Sequence, residues 1–245
     1  MSTYLKECIR TGFFCIGSLL KHSKASRVVY YHDIHLQNKY TTMSTNFELF
    51  QKHINVIRKK GFSIVRDIDR KEQQVQLAFD DGFRGIWECA ELLINEHLYP
   101  TIFIPVSLIG KKEYLTENEI IALHKAGFNI QSHGVRHSNM SAMSSEILLN
   151  DLVTSKQYLE ALLGKNIDSI CFPQGYFSDA VVSEALKAGY SKLYASYPDI
   201  FDVYNPLKGR LLFQSLSPLQ AGLALHGGMD ILAKHYKKLH YNTSK

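Results

Sequence analysis

Between Arg27 and Ala195, seven short apolar or β-branched runs alternate with stretches of helical period. That alternation is what most narrows the folds open to this chain. The runs are Arg27 to Tyr31, Phe62 to Val65, Val75 to Phe79, Thr101 to Ile104, Phe128 to Ser132, Asp168 to Phe172 and Tyr190 to Ala195. Each is too short for a helix and reads as a buried strand. Between them Asn46 caps a helix to Lys60 with apolar residues at Phe47, Phe50, Ile54 and Ile57, and Gly61 stops it. Further helices are expected over 84–97, over 117–126 behind a Thr116–Glu119 capping box, over 144–163 and over 178–188. Strand–helix alternation calls for a parallel sheet with right-handed crossovers. About seven parallel strands close most naturally as a distorted (β/α) barrel, an α/β fold whose sites gather at the strand C-termini.

The division expected is an N-terminal helix and polar link over 1–26, the barrel over 27–217, and a C-terminal helix over 218–245 belonging to the same unit. Residues 197–217 look irregular, and the last helix carries a break at Gly227-Gly228. At 245 residues this is the size of one such barrel. The net charge of +5 is spread out, apart from Lys234, Lys237, Lys238 and Lys245 near the end. A nucleic-acid clamp would concentrate it, so no nucleic acid is expected as a partner. Four cysteines without a CxxC pair suit reduced thiols and a cytoplasmic location, with the bacterial cell envelope left open. No apolar run reaches the length of a membrane span. Thr11 to Leu20 is a short apolar stretch between Arg10 and Lys21. It reads as a helix docked on the domain, with peripheral membrane contact as the rival.

The chemistry is concentrated where strands end. Val75 to Phe79 stops at Asp80-Asp81-Gly82, and after Phe128 to Ser132 come His133 and His137, four apart. Singly these are bland: Asp-Gly favours turns, and a histidine is more often surface or core. Together, one carboxylate and two imidazoles at neighbouring strand ends make a facial set for a divalent metal with positions left open. Asp81, His133 and His137 are therefore the candidate ligands. Zinc is the default metal, with nickel, cobalt or iron also compatible; zinc brings the pKa of bound water to about 7. Asp80 is then free to act as general base. The Pro173–Gly175 turn can aim backbone N–H groups at an oxyanion. For the general acid His32, ending the first strand, is preferred, and His226 in Leu223-Ala224-Leu225-His226 is the rival.

These stretches resemble the polysaccharide deacetylase family, the NodB-homology carbohydrate esterases of family 4. The likeness covers about residues 27–215 and rests on LAFDDGF (77–83), QSHGVRHSNMS (131–141) and CFPQGYFSD (171–179). VVYYHDI (28–34) is similar to the poly-N-acetylglucosamine deacetylase-like branch. The resemblance implies a distorted barrel and metal-dependent removal of acetyl groups from sugars. By position it implies Asp80 as base, Asp81, His133 and His137 as metal ligands, and the Gln174 N–H as oxyanion donor where tyrosine is usual. Many members carry a base-orienting arginine two residues before the loop proline; here that residue is Cys171, and Arg210 is the candidate substitute. The expected function is N-deacetylation of an amino sugar in a polysaccharide or oligosaccharide. The alternatives are a deacetylase or deformylase of a lipid-linked sugar intermediate, and a non-catalytic sugar-binding protein on the same scaffold.

Overall fold

The computed structural model describes residues 3–241, with side chains from Leu5 onward. Residues 1–2 and 242–245, Lys245 of the basic cluster among them, lie outside the described residues. The chain starts with α1 (Thr3–Lys21), followed by β1 (Arg27–Tyr31) and a small parallel pair, β2 (Asp33–His35) and β3 (Ser44–Asn46). Then come α2 (Phe47–Lys59), β4 (Ser63–Val65), β5 (Gln74–Phe79), α3 (Gly85–Glu88), α4 (Ala90–Asn95) and β6 (Thr101–Ile104). α5 (Glu117–Lys125), β7 (Asn129–Ser132), α6 (Ser145–Leu163), β8 (Ser169–Cys171), α7 (Asp179–Lys187) and β9 (Lys192–Tyr194) continue the alternation. β10 (Leu207–Lys208), β11 (Leu211–Leu212), α8 (Pro218–Leu223) and α9 (Ala233–His240) complete it. The Asn46 cap and the Thr116–Glu119 capping box both form, each satisfying N–H groups that a helix start leaves unpaired.

Nine strands make one parallel sheet in the order β10-β9-β8-β7-β6-β5-β1-β11, with β4 paired to β5 beside Gln74 to Gln76. β6 takes the far half of the same edge of β5, at Ala78 and Phe79. Every residue of β1, β5, β6 and β7 is buried, as expected for parallel strands covered on both faces. The period of two sorts them into two cores. Val29, Tyr31, Leu77, Phe79, Ile102 and Ile130 pack outward under the helices. Val28, Tyr30, Ala78, Phe103, Cys171 and Tyr194 turn inward. Deeper on the inner face the residues are polar and bond to one another. Gln76 donates to Thr101 Oγ1 at 3.0 Å, Gln131 to Asn129 Oδ1 at 3.0 Å, and the Ser169 N–H to Gln131 Oε1 at 3.0 Å.

The two ends of the sheet meet in sequence. β10 extends β9 on one edge and β11 extends β1 on the other, and only Gly209 and Arg210 separate them. The sheet therefore curls until one short segment can bridge both edges. That bridge is tied by Ala195 N–H to Lys208 O (3.0 Å), Arg210 N–H to Tyr197 O (2.7 Å) and Phe213 N–H to Tyr30 O (3.0 Å). This is the barrel architecture expected, with nine strands rather than about seven. The excess comes from β10 and β11, two residues each, inside the stretch read as irregular. Two helix readings also change. The stretch 84–97 is two helices broken at Cys89 (φ −96, ψ 0), because Ile86, Ala90 and Leu93 keep helical spacing across the break and conceal it. The last segment is α8, a π-type turn over Ala224–Gly228, a short 3-10 turn and α9, rather than one helix with a single break.

Gly209 is held in the closing segment by space. A Cβ there would stand 2.5 Å from Tyr197 O and 2.4 Å from Asp199 Cβ. Gly209→Ala should force the bridge apart and destabilise the fold by about 1–3 kcal/mol, the usual scale for overpacking. A lowered urea midpoint at unchanged slope is the result expected.

Candidate metal and catalytic site

One cleft of ≈ 280 Å³ opens at the C-terminal ends of the strands. Asp80 and Asp81 reach it directly after β5, His133 directly after β7, His137 from the turn beyond, Gln174 from the turn after β8 and His32 directly after β1. The structure thus brings Asp80, Asp81, His133, His137, His32 and Gln174 to one cavity. Three of these hold left-handed backbone conformations unusual for residues with a Cβ: Asp81 (φ 71), His137 (φ 51) and Gln174 (φ 60). Such conformations persist only where the surroundings enforce them, and they gather at functional sites.

Asp81 Oδ1 lies 3.2 Å from His133 Nε2 and 2.8 Å from His137 Nε2, yet it is buried with no aligned hydrogen-bond donor. His133 Nδ1 sits 2.7 Å from the Cys171 carbonyl oxygen, which can only accept, so Nδ1 carries a proton and Nε2 is the nitrogen turned to the carboxylate. A carboxylate oxygen and two imidazole nitrogens turned to one point call for a positive charge there, carried by a proton or a metal ion. The three ligand atoms lie within 4.8 Å of one another, so the donor set fits a divalent cation. Burial alone would raise the Asp81 pKa, but contact with His133 and His137 outweighs it and holds the carboxyl far below the usual range. Burial lowers His137, and the Asp81 carboxylate more than reverses that.

Asp80, His133 and Cys171 also converge closely enough to ligate an ion. That set fits poorly. Burial pushes the Cys171 thiol well above its ordinary pKa, disfavouring the thiolate a metal needs. Both Asp80 oxygens are already committed: Arg210 Nη1 donates to Oδ1 at 2.7 Å and Nη2 to Oδ2 at 2.8 Å. This fork-on-fork pair is buried on both sides, with the guanidinium stacked over the Tyr30 ring at 4.0 Å. Burial would raise the Asp80 pKa, but the Arg210 charge and hydrogen bonds prevail and hold it low, so Asp80 is ionised. Cys171 Sγ lies 3.0 Å from Arg210 Nη2, and the short side chain leaves room for the guanidinium arriving from the barrel closure.

His32 is oriented by Gln214, whose Oε1 accepts from Nδ1 at 2.6 Å. Its Nε2 is left for other work. His226 lies elsewhere. It sits in the π-type turn, with Nδ1 against Ser23 O at 3.0 Å and its ring 5.9 Å from Phe62, and it does not line the cleft. Its place in a helix-like stretch rather than at a strand end turns it towards the α1 link. Sequence reasoning missed Gln214, Ser196, Met43 and His240, the last three of which line the cleft. Gln214 follows β11 on the edge next to β1, a position visible only once that two-residue strand is known. Nothing in the lysine-rich pattern of α9 marks His240.

A family model described as polysaccharide deacetylase matches residues 67–193. The Bacillus subtilis (strain 168) protein YxkH, named provisionally as a polysaccharide deacetylase, is 24% identical over 171 residues, 66% of this chain. The chain spans 61% of that relative's length. The Streptococcus pyogenes deacetylase PplD, solved in complex with acetate, superposes with a TM-score of 0.71 at 20% identity, covering 80% of this chain and 96% of that one. IcaB from Ammonifex degensii gives 0.73 at 16% identity, covering 83% and 98%. At these identities the solved structures speak for the fold.

Removing the partner of a buried charge is costly, because the remaining carboxylate is left dry and unpaired. Arg210→Met should destabilise the protein by about 3–5 kcal/mol at neutral pH. Without its guanidinium the Asp80 pKa should rise, so the variant regains stability as protons bind on acidification. Thermal melts of both proteins across pH should show the largest deficit near pH 7, shrinking towards pH 4. A deficit independent of pH would point to lost packing alone.

Proposed function

Because the chain belongs to the polysaccharide deacetylase family, we propose that its cleft hydrolyses the N-acetyl group of an N-acetylated amino sugar in a polysaccharide or oligosaccharide. The observation that carries this reading is the convergence of an Arg210-held carboxylate with an acid-and-two-imidazole set in one cavity. Asp81, His133 and His137 would hold a divalent cation, zinc first by ligand type and nickel, cobalt or iron next, which supplies Lewis acidity towards the acyl oxygen and the attacking water.

The protein's own groups divide the proton work. Asp80, ionised by its pairing with Arg210, takes a proton from water as the oxygen adds to the acetyl carbon. The pairing also fixes the carboxylate plane, so orientation compensates for the modest basicity that a depressed pKa imposes. The N–H of Gln174, in its left-handed turn, donates to the oxyanion that forms. His32, oriented through Nδ1 by Gln214, protonates the departing nitrogen through Nε2. The carbon–nitrogen bond breaks, and acetate and a free amino sugar leave.

Acetate release from N-acetylglucosamine oligosaccharides tests this directly. Chelation should abolish release and added zinc restore it. Asp80→Asn should lower kcat by roughly 10²–10⁴ while metal is retained, the range removed with a general base. His32→Ala should cost a comparable factor, and His226→Ala nothing. Full activity in Asp80→Asn overturns the mechanism. Oligosaccharide binding by metal-loaded protein with no acetate release would leave the non-catalytic reading in its place.

A further inference from the structure

A second cavity of ≈ 280 Å³ opens beside the catalytic cleft. The two share Tyr30, Ser196 and His240 as walls, so they are neighbours across one partition. The second is built differently. Its lining includes Phe14 from α1, Leu212 from the barrel closure and Leu216 just beyond it, and Met229, Leu232 and Tyr236 from the C-terminal segment. Its two arginines are engaged: Arg10 with Glu7 at 2.7 Å and Gln220 at 2.9 Å, and Arg210 with Asp80. It is an apolar chamber opening off a polar reaction site.

The outer wall of this chamber is α1. One face of that helix docks: Phe14 is buried, and Gly17 lies so close to Gly228 that a Cβ would stand 2.6 Å from its carbonyl oxygen. Among the described residues none covers the opposite face. Ile9, Phe13, Ile16, Leu19 and Leu20 form a continuous helical stripe with exposures from 42% at Ile9 to 76% at Leu19. A stripe of large apolar residues left in water marks a surface that meets something apolar. α9, which contributes the other wall through Tyr236 and His240, is basic and free of acids, with Lys234, Lys237 and Lys238 exposed. An exposed apolar helix face on one wall of the chamber and exposed lysines on another suit an anionic lipid surface.

We propose that the substrate is an amphiphile taken from a membrane: an N-acylated amino sugar whose sugar enters the catalytic cleft and whose attached apolar chain enters the chamber, with α1 lying in the lipid interface. The proposal rests on the deacetylase reading for the reaction, but the chamber can be tested apart from it. The probes are the methyl and octyl β-glycosides of N-acetylglucosamine, titrated calorimetrically into the full-length protein below the micellar concentration and then assayed for acetate. The octyl glycoside should bind at least tenfold more tightly than the methyl. Leu232→Trp or Met229→Trp, filling the chamber from positions outside the reaction site, should erase that preference and leave methyl glycoside binding unchanged. In co-sedimentation with phosphatidylglycerol vesicles, Ile16→Glu with Leu20→Glu should reduce the bound fraction at least fivefold.

An octyl preference removed by the tryptophans, without acetate release from either glycoside, supports the chamber and rejects the deacetylase reading. Equal affinity for the two glycosides in the unaltered protein overturns the chamber with that reading intact. A preference surviving in both tryptophan variants overturns it as well, since the chain would then bind elsewhere. Vesicle binding unaffected by the two glutamates overturns the role of α1.

Discussion

The closing of the sheet by a single arginine-bearing segment is the constraint on which the site depends. The two edges of the sheet are joined by Leu207 to Leu212, and the residue at the joint, Arg210, points its guanidinium inward onto Asp80. Fold closure and the state of the Asp80 carboxylate are thus one structural event. A buried acid ahead of a second buried acid would ordinarily take up a proton. Here the guanidinium keeps Asp80 charged, and the histidines do the same for Asp81. Two adjacent carboxylates then have separate tasks, one tied to Arg210 and the other turned to His133 and His137.

Three groups of the site are held from behind by neighbours outside the proposed chemistry. The Cys171 carbonyl accepts from Nδ1 of His133, the Gln214 amide oxygen accepts from Nδ1 of His32, and Arg210 sits over the Tyr30 ring. Cys171 contributes by being small: its position has room for a guanidinium only because no larger side chain stands there. The family resemblance expects an arginine at that position. The structure supplies one from across the barrel instead, so the charge is kept while its origin in the chain changes.

Much of this was legible in the sequence, and the reasons for the rest are physical. Strands such as β5 and β7 were readable because burial on both faces forces continuous apolar or β-branched runs, and Asp80, Asp81 and His133 stood out by ending them. Arg210 could be named only as a candidate, since it lies between two-residue strands that leave no pattern. Gln214 and His240 were invisible, because their roles follow from a closure and a helix docking that are both tertiary. His226 shows the reverse error: it matches a short motif, but a π-type turn sends its ring to Ser23 and Phe62. The polar layer of Gln76, Thr101, Asn129 and Gln131 was likewise hidden inside strands, since these residues satisfy one another and need no water.

The central claim is that Asp81, His133 and His137 hold a metal beside an Arg210-bound Asp80. Anomalous diffraction from a crystal of zinc-loaded protein, recorded on both sides of the zinc absorption edge, measures this most directly. The account predicts one strong peak about 2.0–2.2 Å from an Asp81 oxygen and from Nε2 of both histidines, with Asp80 still gripped by Arg210. A peak seated instead on Cys171 and Asp80, or no peak in the cleft at full zinc occupancy in solution, would contradict it.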